Sequence, residues 1–147
     1  MDLKSKIILI SGPTSSGKSS FALKVAKKID GEIINADSMQ VYKQLKILSA
    51  RPDPNQYQKI KHHLYGFLHV TKNFSTGDWL RLASKKIKDI QKRKKTPILV
   101  GGTGLYFKAL TDGLVRIPNI SLKSRKQIRI LQKKIGQKKF YEKLLKL

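Results

Sequence analysis

The sequence predicts an α/β domain with a parallel sheet, followed by C-terminal basic helices. Three observations carry that prediction. Short apolar runs alternate with amphipathic stretches of helical period, in the order strand, helix, strand, helix, strand. A glycine-rich turn separates the first strand from the first helix. Residues 121–147 then give up the alternation for a cation-rich helical pattern.

Each element has its own signal. Residues 6–10 (KIILI) form an apolar run that stops at Ser11, Gly12 and Pro13, as a buried strand does. Residues 19–29 place Phe21, Ala22, Val25, Ala26 and Ile29 in helical steps of three and four. Residues 32–36 (EIINA) make a second strand, ending at Asp37. Residues 76–93 are a helix whose apolar face is Trp79, Leu80, Ala83, Ile87 and Ile90, which makes Trp79 a core residue. Residues 97–100 (PILV) are a third strand, broken by Gly101 and Gly102, and residues 104–112 open another helix. Beyond Pro118, residues 121–135 and 138–147 have helical patterns. The expected division is a core of residues 1–115 and a basic helical segment of residues 116–147. That segment ends on Leu-Leu-Lys-Leu with no helix-stop signal, so a truncated chain, or an apolar face awaiting more protein, is expected.

Charge bounds the partners. Of 147 residues, 32 are Lys or Arg and 9 are Asp or Glu, a net charge of +23. Lysine supplies 26 of the cations and arginine 6. Such a chain attracts polyanions, with binding that weakens in salt. The basic stretch 85–95 closes a helix, where cations favour the dipole. With 0 Cys there is neither a disulfide framework nor a thiolate metal site, and a reducing, cytoplasmic setting is expected. No apolar run approaches the ~20 residues of a membrane span. The N-terminal run resembles a short signal peptide, but the turn that follows at once makes it a strand.

That turn is Gly12, Pro13, Thr14, Ser15, Ser16, Gly17, Lys18 and Ser19, a full match to G-x-x-x-x-G-K-[ST] between strand and helix. It predicts a P-loop NTPase-like three-layer domain. Its backbone N–H groups converge on phosphate oxygens, and the helix N-terminus adds positive potential. Lys18 brings a mobile charge to the terminal phosphate, and the Ser19 hydroxyl is placed to ligate Mg²⁺. The motif specifies a diphosphate or polyphosphate without saying which.

Two further strand ends should open on the same crevice, where parallel sheets bind ligands. Asp37 is either a proton acceptor or Mg²⁺ ligand there, or a cap on the next turn. Ser38 and Gln40, suited to the edge of a base, favour function. The run Gly101, Gly102, Thr103, Gly104 permits close approach of backbone to ligand, or forms a tight turn with a capping threonine. No acid ends the PILV strand, which argues against hydrolysis as a motor or switch and for group transfer from a phosphate ester. His62 and His63 are adjacent in a strand-like stretch, so they face opposite ways and carry no chemical role.

Together GPTSSGKS, NADSMQVY, HHLYGF and PILVGGTGLYFKAL resemble the tRNA dimethylallyltransferase (IPP transferase) family, in family order, over residues 7–110. The resemblance implies transfer of a dimethylallyl group from dimethylallyl diphosphate to N6 of the adenine 3′ to the anticodon, in tRNAs reading codons that begin with U. It implies Asp37 as base, with Lys18 and Thr103 also catalytic and residues 12–19 gripping the donor with Mg²⁺ on Ser19. It implies tRNA contacts from Asp37, Ser38, Met39, Gln40, Thr103 and, by a looser match, Arg125. The partners are then the anticodon stem-loop of tRNA and the prenyl donor, the protein a cytoplasmic monomer with no membrane association. Family members continue well past residue 147 into a tRNA-binding region, so weak or no turnover is expected from residues 1–147 alone. A P-loop small-molecule kinase using ATP is the alternative enzyme, and a basic RNA-binding module the non-enzymatic one.

Overall fold

The computed structural model describes residues 6–115 and 120–147. These divide into two compact units, one ending at Leu114 and one beginning at Val115. The first is a parallel sheet with helices on both faces. In chain order it contains β1 (Ile8–Ser11), α1 (Lys18–Ile29), β2 (Gly31–Asn35), β3 (His62–His63), α2 (Thr76–Lys92), β4 (Thr96–Gly101) and α3 (Gly104–Asp112). Short 3₁₀ turns at Lys43–Leu45 and Pro54–Gln56 lie between β2 and β3.

The strand order is β1-β4-β2-β3, and every pair is parallel. β4 therefore lies between β1 and β2, pairing Ile8 with Ile98 on one side and Ile33 with Ile98 on the other. Both β2 and β4 are buried along their whole length, which is why β4 reads as an apolar run rather than an alternating one, while β2 buries the polar Glu32 and Asn35 on either side of Ile33 and Ile34. The period of two still sorts their side chains. Ile33, Ile98 and Val100 pack with Ala22 and Ala26 of α1. Ile34 and Leu99 pack on the other face with Trp79, Ala83, Ile87 and Ile90 of α2 and Tyr106 of α3.

The helices begin and end where the sequence supplies caps. Ser75 and Asp78 form a reciprocal capping box at the start of α2. The Trp79 and Tyr106 rings stack at 4.2 Å between centroids, joining α2 to α3.

The His62–His63 pair is the sheet's shortest strand. His63 Nε2 lies 2.6 Å from Glu32 Oε2, which also accepts from Arg93 Nη2 at 2.7 Å. This fixes the end of α2 against the buried first half of β2. His62 turns the other way and stacks on Tyr57 at 3.7 Å. Burial holds His62 below the usual imidazole range, against a hydrogen bond from its Nδ1 to the Ile60 carbonyl.

The second unit is α4 (Leu122–Leu144), capped by Ser121 and interrupted at Gly136, whose φ of 79° is not helical. The two expected helices are the two arms beside this glycine. Ile128, Leu131, Phe140 and Leu144 line one apolar cleft between them.

Candidate active site at the strand ends

Three loops leave the C-terminal ends of β1, β4 and β2, which are neighbours in that order. The phosphate loop follows β1. Ser15 at φ 63° and Gly17 at φ 79° are both left-handed, a geometry that turns successive N–H groups inward. Gly17 is the N-cap of α1, and no side chain caps that end. The first N–H groups of α1 are thus left for a ligand. The Lys18 ammonium donates to the Pro13 carbonyl at 2.9 Å, folded back over its own loop.

Across from this loop stands Asp37, just past β2. One cleft of about 280 Å³ is lined by Thr14, Ser15, Gly17, Lys18, Ser19 and Ser20 on one side and by Asp37, Gln40, Ser49 and Ala50 on the other. The two carboxylate oxygens of Asp37 have different surroundings. Oδ1 accepts the Met39 N–H at 2.9 Å and the Gln40 N–H at 3.4 Å. Oδ2 receives no donor among the described residues and lies near Gly102, where a Cβ would come within 3.9 Å of it. The capping and the functional readings of Asp37 are therefore compatible, one oxygen for each.

β4 delivers the glycine run between the other two loops. A Cβ on Gly101 would stand 2.0 Å from the Ala36 carbonyl oxygen, so only glycine fits. Thr103 sits at the N-cap of α3 but makes no side-chain cap bond. Its Oγ1 instead accepts the Ser38 N–H at 2.9 Å and donates to Ser38 Oγ at 3.3 Å. Thr103 thus clasps the Asp37 turn from the neighbouring strand.

Several parts of the site are not evident from motif reading. Asn35, wholly buried, holds the Asp37 backbone through its side-chain amide. Gln40 is also buried, and its Nε2 donates to the Ser49 carbonyl at 3.0 Å. This pins Ser49, which with Ala50 forms the outer wall of the cleft. Arg51 closes the wall's far end by donating to the Tyr42 and Lys43 carbonyls at 2.8 and 3.3 Å. The available signal for Asn35 was a lone amide closing an apolar run just before an acid.

Met39 is exposed beside the turn. Arg125 lies on α4, in the second unit, with Leu122, Lys126 and Arg129 around one cleft. No group of three or more His, Asp or Glu residues able to hold a metal occurs among the described residues. A divalent ion in the cleft would therefore draw ligands from phosphate and water as well as the Ser19 hydroxyl, which makes no hydrogen bond among the described residues. That donor set suits Mg²⁺, a hard ion that keeps several waters.

Fold and site together define a P-loop α/β protein with an acid facing its phosphate loop. The IPP transferase family model matches residues 40–147. The chain belongs to the IPP transferase family. It is 69% identical over 147 residues to the tRNA dimethylallyltransferase of Pelagibacter ubique, covering all of this chain and 47% of that relative. It is 49% identical over 144 residues to that of Rickettsia canadensis, covering 98% and 44%. The chain thus spans about half the length of these relatives. A tRNA isopentenylpyrophosphate transferase structure from Staphylococcus epidermidis matches with a TM-score of 0.71 and 40% identity, over 88% of this chain and 41% of that one. A eukaryotic dimethylallyltransferase captured acting on tRNA matches with a TM-score of 0.75 and 31% identity, over 83% and 31%.

Proposed function

We propose that this protein transfers a dimethylallyl group from dimethylallyl diphosphate to N6 of the adenine 3′ to the anticodon, in tRNAs reading codons that begin with U. The observation that carries the proposal is the open Oδ2 of Asp37 across one cleft from the phosphate loop. Adenine N6 is a weak nucleophile because its lone pair is delocalised into the ring. Asp37 Oδ2 takes an N6 proton as N6 bonds to C1 of the donor. The C1–O bond breaks, and diphosphate leaves with the bonding pair. Charge gathers on the departing oxygens, where the N–H groups of residues 12–19 and the Lys18 ammonium meet it. Lys18 gives up its bond to the Pro13 carbonyl to do so. The Ser19 hydroxyl would hold Mg²⁺, which would supply further charge neutralisation to the leaving group.

The turn of Asp37, Ser38, Met39 and Gln40, clasped by Thr103, receives the target base, which leaves its stack to enter. Arg125 and the lysine-rich surface contact the tRNA backbone. We assign the protein to the cytoplasm, as a monomer. No helix among the described residues is long and apolar enough to cross a membrane.

Calorimetry of dimethylallyl diphosphate against ATP, each with Mg²⁺, tests the reading. Preference for the prenyl donor, lost in Lys18→Ala, is the expected result. Preference for ATP would replace the reading with a small-molecule kinase.

A further inference from the structure

We infer that Asn35 is the positioning residue that aims Asp37 into the cleft, an inference that rests on the proposed role of Asp37. β2 ends at Asn35, Ala36 still bonds the Val100 carbonyl and the Thr103 N–H at 2.8 and 3.2 Å, and Asp37 is the first residue whose backbone groups have no partner on the neighbouring strand. Something must fix its direction. The Asn35 side chain accepts the Asp37 N–H on Oδ1 at 2.9 Å. It donates from Nδ2 to the Asp37 carbonyl at 2.9 Å and to the Leu64 carbonyl at 3.1 Å. Both backbone groups of Asp37 are thus held by one buried amide.

An amide is the one neutral side chain of this length that offers an acceptor and two donors, and here all three are used. Asn35 is itself immobile. It is fully buried, it pairs with Val100 in the sheet, and its carbonyl accepts the Trp79 indole N–H at 2.8 Å. With the backbone fixed, Oδ1 of Asp37 caps the Met39 and Gln40 N–H groups, and Oδ2 is left for the cleft. The bond to Leu64 ties this turn to the loop after β3, and the Gly66 N–H on the Gln40 carbonyl, at 2.9 Å, repeats the tie.

Two variants separate positioning from charge and from folding. Asn35→Asp keeps the shape and turns the two donors into an oxygen facing two carbonyls. Asn35→Ala removes the amide and adds no charge. In each, three quantities are measured: amide hydrogen exchange at Asp37, affinity for dimethylallyl diphosphate with Mg²⁺, and affinity for anticodon stem-loop RNAs carrying adenine or purine, which lacks the N6 amino group, at the target position. The native chain should prefer adenine by about tenfold or more, the effect of one charge-assisted hydrogen bond. Both variants should reduce that preference to about twofold or less, and donor affinity should change by less than about twofold. Exchange at Asp37 should speed up by about tenfold or more in Asn35→Ala, which removes the acceptor of its N–H, while that at Ile98 and Leu99 holds.

Retained adenine preference in either variant overturns the inference, and so does equal loss of donor binding, which would mark Asn35 as a folding residue. Should the native chain itself show no preference, the proposed role of Asp37 fails. Exchange in Asn35→Ala then decides alone whether Asn35 holds Asp37, unchanged rates overturning it. Should Asn35→Ala not fold, Asn35→Leu, near Asn in size and without an acceptor, carries the exchange readout, and Asn35→Asp carries the other two.

Discussion

The indole Nε1 of Trp79 donates to the backbone carbonyl of Asn35 at 2.8 Å, reaching from α2 to the last residue of β2. The core side chain that anchors the helix thus also satisfies the carbonyl where the sheet ends and the candidate site begins. Trp79→Phe keeps an aromatic ring against Tyr106 and removes the donor. A buried acceptor left without a partner costs about 1–3 kcal/mol. The urea midpoint should fall accordingly. A change within error would mean the carbonyl finds water or another donor.

Gly101 and Gly102 are neighbours with different constraints. A Cβ on Gly101 meets the Ala36 carbonyl group at 2.0 and 2.1 Å and the Asp37 nitrogen at 2.7 Å. Gly101→Ala must push β2 and the Asp37 turn away from β4, a change in the class that destabilises by about 3 kcal/mol or more. At Gly102 the nearest atom is the Gly12 carbonyl oxygen, 3.3 Å away. Gly102→Ala should fold with a loss of about 1 kcal/mol or less while crowding the phosphate loop against Asp37 Oδ2. Thermal melts of the two variants, with titration of dimethylallyl diphosphate into the second, check both halves.

The elements that bury a continuous stripe were legible in the sequence. β4 announces itself as an apolar run because both faces are covered, β2 through the Ile33–Ile34 pair between two polar residues, and α2 through the spacing of Trp79, Ala83, Ile87 and Ile90. The phosphate loop was legible because its chemistry fixes residue types at fixed intervals. The order β1-β4-β2-β3 was not stated by any local signal, since pairing is a relation between distant segments. The two residues of β3 are too few to show a period. The wall at Ser49 and Ala50 depends on side chains of Gln40 and Arg51 that bond distant carbonyls, with Ala50 at a φ of 48°. Nothing in the local composition marks such a turn. Asn35 looks like one more strand residue until the backbone it holds is seen.

Glu32 makes the stability of the core depend on pH. Burial raises its carboxyl, but the bonds from His63 and Arg93 lower it more, and the net position is below the ordinary value near 4.5. The folded state therefore binds fewer protons here than the unfolded state does. Its stabilising contribution is full above the unfolded value and is lost as pH falls through the folded one. Urea midpoints for the native chain and Glu32→Gln should differ at pH 7 and converge as the pH falls through the lowered value of the folded Glu32. A difference that persists unchanged at acid pH would show that the variant acts through packing, not through charge.

Asp37 has one oxygen bound within its own turn and one open to the cleft, and two substitutions can tell their roles apart. Asp37→Asn keeps an acceptor at Oδ1 for the Met39 and Gln40 N–H groups and puts a non-basic amide where Oδ2 was. Its melting temperature should stay close to that of the native chain, because no backbone donor loses its partner. Asp37→Ala removes both acceptors from the turn and should cost about 1–2 kcal/mol, the usual loss of a cap. For prenyl transfer the two should be alike. Each lacks the base, a loss of about 10²–10⁴-fold, visible in single-turnover transfer to an anticodon stem-loop in a protein that retains the full tRNA-binding region. If Asp37→Asn transfers as fast as the native protein, Oδ2 takes no proton and the carboxylate is only a cap. If Asp37→Asn is slow and as stable as the native protein, the open oxygen across from the phosphate loop is the one that does the chemistry.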